Sequence, residues 1–78
     1  PTTTLSFSIP LESHIKLNVY DMAGRLVRTL VDKNMSMGYH NMEWNGLDNS
    51  GHAVSSGMYI YSLKGEGVSI TKKMVMMK

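Results

Sequence analysis

Cysteine is absent from the chain, which excludes both a disulfide framework and a thiolate metal site. No apolar run approaches the ~20 residues of a membrane span, and no secretory signal peptide opens the sequence. The chain starts on Pro1-Thr2-Thr3-Thr4, as a segment of a longer polypeptide would. Charge of one sign is also scarce: 8 Lys+Arg stand against 6 Asp+Glu, a formal net charge of +2. A nucleic-acid surface needs a stripe of cations that releases counterions. Only Lys72, Lys73 and Lys78 cluster, and three lysines on one strand read as protection of a solvated sheet edge. Carboxylates are few and scattered, at Glu12, Asp21, Asp32, Glu43, Asp48 and Glu66. Their spacing does not set two across a cleft as glycoside hydrolysis requires. No Gly-x-Ser-x-Gly elbow surrounds a serine, and there is no internal repeat. These absences predict a non-catalytic chain without a cofactor, a membrane span or a nucleic-acid partner.

What is present is alternation with period two. Leu5, Phe7 and Ile9 alternate with Thr4, Ser6 and Ser8, the pattern of a strand with one buried face, and Pro10 closes it. Ile15, Leu17 and Val19 repeat the pattern against Lys16, Asn18 and Tyr20. Asp21-Met22-Ala23-Gly24 then forms a tight turn. Leu26 to Val31 is β-rich, but Val27 and Leu30 differ in parity; a bulge would return both to the core side. Asp32-Lys33-Asn34 reads as a polar connection, and Gly38 marks the next start. Along Tyr39 to Trp44, Met42 and Trp44 share a face. Asn45 to Gly57 is a loop by composition. Tyr59, Tyr61 and Leu63 define another strand, Gly65-Glu66-Gly67 a hairpin connection, and Val68 to Met77 the last strand. A domain of 78 residues buries only about 60% of its unfolded surface, for a stability of roughly 4–12 kcal/mol. The prediction is an all-β, immunoglobulin-like antiparallel sandwich of about six to seven strands, one domain over residues 1–78.

Few residues invite chemistry. Eight methionines are present and read as adaptable core filler; with no histidine in the last strand, a copper site is not expected. His14, His40 and His52 read as ordinary strand and turn residues. Asn45, Asp48, Asn49 and Ser50 offer hard oxygens of the kind calcium takes, with Asp48 the one carboxylate, but Asx-type turns account for the same residues. Parity places Trp44, Tyr59 and Tyr61 in the core, leaving Tyr20 and Tyr39 as a poor platform for a sugar. Trp44 and Tyr59 are expected to bracket the long loop and bury apolar area between the sheets.

Four motifs in order carry a family resemblance. They are Pro1 to Pro10; Ile15 to Val27, with Tyr20-Asp21 and Gly24; Gly38 to Tyr59, with Trp44-Asn45-Gly46, Asp48, Gly51 and Gly57; and Lys72-Lys73-Met74-Val75-Met76-Met77-Lys78. Together they resemble the C-terminal sorting domains of the type IX secretion system, and they are similar to the immunoglobulin-like domain of flagellar hook-capping proteins. Asn45 departs from the family, which commonly carries Asp after the Trp. The resemblance implies a C-terminal sorting domain of a larger secreted protein, joined to an N-terminal passenger and brought through periplasm and outer membrane to the cell surface or medium. On that expectation the partner is the outer-membrane secretion machinery, which would read the Lys72–Lys78 segment by strand addition or through its basic end. The alternative expectation is an immunoglobulin-like spacer, or a carbohydrate- or protein-binding accessory module of an extracellular enzyme.

Overall fold

A computed structural model describes residues 2–77; Pro1 and Lys78, named in the first and last motifs, lie outside the described residues. Those residues form six strands: β1 (Thr3–Ile9), β2 (Ser13–Asp21), β3 (Leu26–Met35), β4 (Gly38–Trp44), β5 (Gly57–Gly65) and β6 (Val68–Met76). All pairings are antiparallel. One sheet has the order β1-β4 and the other β3-β2-β5-β6, the two-layer sandwich expected from the alternation.

The inward faces follow the predicted parity. Leu5, Phe7 and Ile9 of β1 and Trp44 of β4 meet Ile15, Leu17 and Val19 of β2, Tyr59, Tyr61 and Leu63 of β5, and Met74 and Met76 of β6. Ile15, Leu17, Val19, Trp44 and Leu63 are wholly removed from solvent, each burial contributing about 1.5–3 kcal/mol for the aliphatic side chains. The methionine expectation holds for Met74 and Met76, whereas Met22, Met37, Met58 and Met77 are exposed.

Strand β3 departs from the sequence reading in length and confirms it in shape. Asp32, Lys33 and Asn34 continue the strand, opposite Lys16, Ile15 and His14. They lack apolar alternation because β3 is an edge strand whose polar half faces water, and ladder hydrogen bonds with β2 hold it. Two register shifts interrupt the β2–β3 ladder, leaving Leu30 unpaired between Val31 and Thr29, and Val27 unpaired between Arg28 and Leu26. These are the two residues of conflicting parity, and both pack against the core. The bulges twist this edge away from further pairing.

Candidate functional site

Two turns of the same construction border a groove of about 410 Å³. In the first, between β2 and β3, the Asp21 carboxylate Oδ1 accepts hydrogen bonds from the amides of Ala23 and Arg25 at 2.9 and 3.0 Å. The Asp21 amide donates to the Arg25 carbonyl, and the Gly24 amide donates to the Asp21 carbonyl. In the second, inside the β4–β5 loop, Asp48 Oδ1 accepts from the amides of Ser50 and His52, both at 2.9 Å. The Asp48 amide donates to the His52 carbonyl, and the Gly51 amide to the Asp48 carbonyl. Gly24 and Gly51 occupy the same place in the two turns, with φ of 86° and 85°, a conformation that costs an L-residue roughly 1–2 kcal/mol. Asp-x-x-Gly is therefore a local code: the carboxylate organises two amides and the glycine closes the turn.

These hydrogen bonds set the electrostatics. The Arg25 amide, with the Arg25 guanidinium beside it, holds the Asp21 carboxyl below its ordinary value. The His52 amide, followed by that of Ser50, does the same for Asp48. Both are ionised acceptors whose Oδ1 each takes two turn amides, a poor starting point for proton transfer. The other loop oxygens are engaged too: Asn45 Oδ1 accepts from the Leu47 amide and Asn49 Oδ1 from the Thr29 amide. Of the four oxygen-bearing residues that drew the calcium reading, Asn45 and Asp48 thus close Asx turns and Asn49 bonds across to β3. Among the described residues no three His, Cys, Asp or Glu side chains gather as a metal site would require.

Between the turns, two buried aromatics clamp the loop. Trp44 and Tyr59 meet edge to face, 5.1 Å between centroids and 75° between planes. The Trp44 indole Nε1 donates to the Leu47 carbonyl at 3.0 Å, and the Tyr59 hydroxyl donates to the Ser55 carbonyl at 2.7 Å. Each ring fills the core with its apolar body and fixes the loop with its polar end. On the opposite flank the Arg28 guanidinium donates to the Asp48 carbonyl, and the Asn49 amide donates to the Val27 carbonyl. The loop therefore lies along the bulged part of β3 and covers that sheet edge.

Of the residues singled out in the sequence, Asp21, Asp48, Gly57 and Tyr59 line the groove, Trp44 lies in the core against Tyr59, and Gly46 is buried against Met76. Tyr20 is half-buried and accepts a hydrogen bond from Asn18. Gly38 pairs with Ile9 at the far end of β4. Lys72 to Met76 belong to β6, and Met77 lies one residue past its end. Met74 and Met76 point into the core, while Lys72, Lys73, Val75 and Met77 are exposed. Sequence reasoning missed Arg25, Val27, Val54 and Met58 on the groove wall. Arg25 had a signal, since it stands four residues after a turn-forming Asp and its Nε reaches the Asp21 carboxylate at 2.9 Å. The three histidines remain apart. His14 pairs with Asp32, His40 stacks on Phe7, and His52 lies exposed near Asp48.

The FlgD Ig-like domain model matches residues 2–68. The crystal structure of FLGD from P. aeruginosa superposes with a TM-score of 0.78 at 25% identity, over 96% of this chain and 58% of that one. This chain thus spans little more than half the length of the FLGD chain it matches. No curated protein matches the sequence. The sandwich is immunoglobulin-like, as expected, but the matches correct the functional expectations. The type IX sorting role, the outer-membrane secretion machinery as partner, export to the cell surface or medium, and the accessory module of an extracellular enzyme are all overturned by a match to FlgD on both sequence and structure. The family-model match ends at residue 68, before Lys72, whereas the structural match takes in 96% of the chain; the likeness rests on the whole sandwich and its turns and singles out no role for the basic last strand.

Proposed function

Because the chain belongs to the FlgD Ig-like domain family, we propose that it is a non-catalytic immunoglobulin-like module of a flagellar hook-assembly protein, acting by contact with other proteins. Residues 1–78 form one such domain, the part of a longer protein that corresponds to the matched portion of FLGD. The observation that carries the non-catalytic reading is the commitment of the groove's carboxylates: Asp21 and Asp48 accept from the backbone of their own turns. The groove's apolar wall of Val27, Val54, Met58 and Tyr59 is consistent with a contact surface.

Binding of the purified chain to monomeric hook subunit tests this, measured by biolayer interferometry. Saturable binding in the micromolar range is expected for a transient assembly contact. A folded chain that shows no binding up to about millimolar subunit sinks the proposal.

A further inference from the structure

The two solvent faces of the sandwich differ. On the β1–β4 sheet the outward residues are Thr4, Ser6 and Ser8 against Glu43, Asn41 and Tyr39, polar throughout apart from the tyrosine ring. The outer face of the four-stranded sheet is segregated along its strands. The register places Leu26, Tyr20, Ile60 and Lys73 side by side across all four strands, with Met58 and Val75 paired in the next row. Leu26, Met58 and Val75 are 50%, 46% and 53% exposed. The following row is Thr29, Asn18, Ser62 and Thr71, and the one beyond it holds Asp32, Lys16, Lys64 and Ser69. One face thus runs from largely apolar, with Lys73 at its β6 edge, through neutral to a row where two lysines outnumber one aspartate, over about 20 Å along the strands and about 14 Å across them.

Charge decides what fits there. Lys16 and Lys64 stand directly opposite each other, a like-charge pair that weakens a sheet. The one acid of the face, Asp32, is already bonded to His14 and attracted to Lys16. Among the described residues no ion pair engages Lys16, Lys64 or Lys73. Glu12 and Glu66 stand in connections between strands, and Glu43 lies on the other sheet. A second copy of this face would set lysine against lysine with the dyad along the strands, and lysine against the apolar rows with the dyad across them, and both disfavour self-pairing.

We infer that the outer face of the β3-β2-β5-β6 sheet docks an amphipathic segment of a partner protein, apolar where it meets Leu26, Ile60, Met58 and Val75 and acidic where it meets Lys16 and Lys64. Exposed apolar patches with a polar rim mark protein contacts; Asp32 offsets only one of the paired lysines Lys16 and Lys64, and the net positive charge that remains selects an acidic partner and speeds its approach. This assigns Lys73 and Val75 of the last strand to protein recognition through their side chains. It stands on the register of the sheet and does not depend on the hook-assembly reading.

The test titrates the ¹⁵N-labelled chain with a helical peptide of about 14 residues, ~20 Å long, leucine-rich in one half and glutamate-bearing on the same face in the other. A matched peptide carries lysines in place of the glutamates. Amide shifts at Tyr20, Leu26, Ile60 and Val75 are expected with the glutamate peptide. The double variant Lys16→Glu, Lys64→Glu should lose about tenfold in affinity for it and gain for the lysine peptide. Leu26→Ser with Val75→Thr should weaken both peptides, and circular dichroism confirms that each variant is folded. Equal binding of the two peptides, no binding of either, shifts confined to the groove or the β1–β4 sheet, or dimerisation of the chain through this face would each overturn the inference.

Discussion

Removing the polar tips of Trp44 and Tyr59 tests whether the long loop is held as one unit. Trp44→Phe leaves a void on the order of 40 Å³, worth about 1 kcal/mol at the measured cost per unit of cavity. It also strips the Leu47 carbonyl of its indole donor, adding about 0.5–1.5 kcal/mol. The total of about 2 kcal/mol is a large share of the roughly 4–12 kcal/mol available to a domain of this size. Tyr59→Phe keeps the ring and removes only the hydroxyl that donates to Ser55, for about 1 kcal/mol. The two donors fix opposite ends of one loop, and their rings touch. Once one end is released, the second anchor holds less, so the double variant should fall short of the sum by at least about 0.5 kcal/mol. Urea unfolding measures this, because slopes of about 1–3 kcal/mol/M turn the Trp44→Phe loss into a midpoint shift near 1 M. Hydrogen exchange at the Asp48 and Val54 amides, which bond to His52 and Gly46, should accelerate in parallel. Costs that add to within about 0.3 kcal/mol, or a Trp44→Phe loss below about 0.5 kcal/mol, would refute the clamp.

Gly24→Ala and Gly51→Ala should each cost about 1–2 kcal/mol and nearly the same amount, since the two turns match in φ and both leave open space for a Cβ; a Tm difference of many degrees between them would show that the turns are not equivalent. Gly65→Ala should destabilise by about 1–3 kcal/mol in thermal melts, because its Cβ would collide with the buried Ile15 side chain. Asp21, Asp32 and Asp48 have carboxyl pKa values lowered in the folded chain. Their contribution to stability is therefore complete above the unfolded carboxylate value of 3.8 and is lost as pH falls through the lower folded values. Unfolding free energy measured from pH 6 down to about 2 should drop in that acid window, and Asp48→Asn should flatten the drop. Peroxide should oxidise Met22, Met37, Met58 and Met77 before Met74 and Met76, whose burial shields the sulfur; peptide mapping that finds the reverse order would contradict the assigned core.

The strands were legible because a half-buried strand writes itself as alternation, and Val27 and Leu30 revealed the bulged edge by breaking that parity. Asp32 to Asn34 hid their strand because an edge held by backbone pairing has no apolar face to display. Loop docking was invisible for another reason: the bond from Thr29 to Asn49 spans 20 residues, and neither residue is unusual where it stands. The segregated outer face emerges only from the register, which brings Leu26, Tyr20 and Ile60 together from three strands. The functional expectation failed for a physical reason as well. Asp21, Gly24, Trp44, Asp48, Gly51 and Tyr59, which carried the resemblance, build turns and clamp a loop. Any domain of this architecture needs them, whether it sorts cargo or assembles a hook, so they identify the fold and leave the partner open.

Exchange of this chain for the corresponding Ig-like segment of the P. aeruginosa FLGD protein tests the central claim most directly, with hooks counted by electron microscopy in a strain lacking its own copy. Hooks formed by the chimera, and lost when Trp44→Ala unfolds the module, are the predicted result. A chimera that is folded and present at normal levels yet forms no hooks would contradict the assignment to hook assembly.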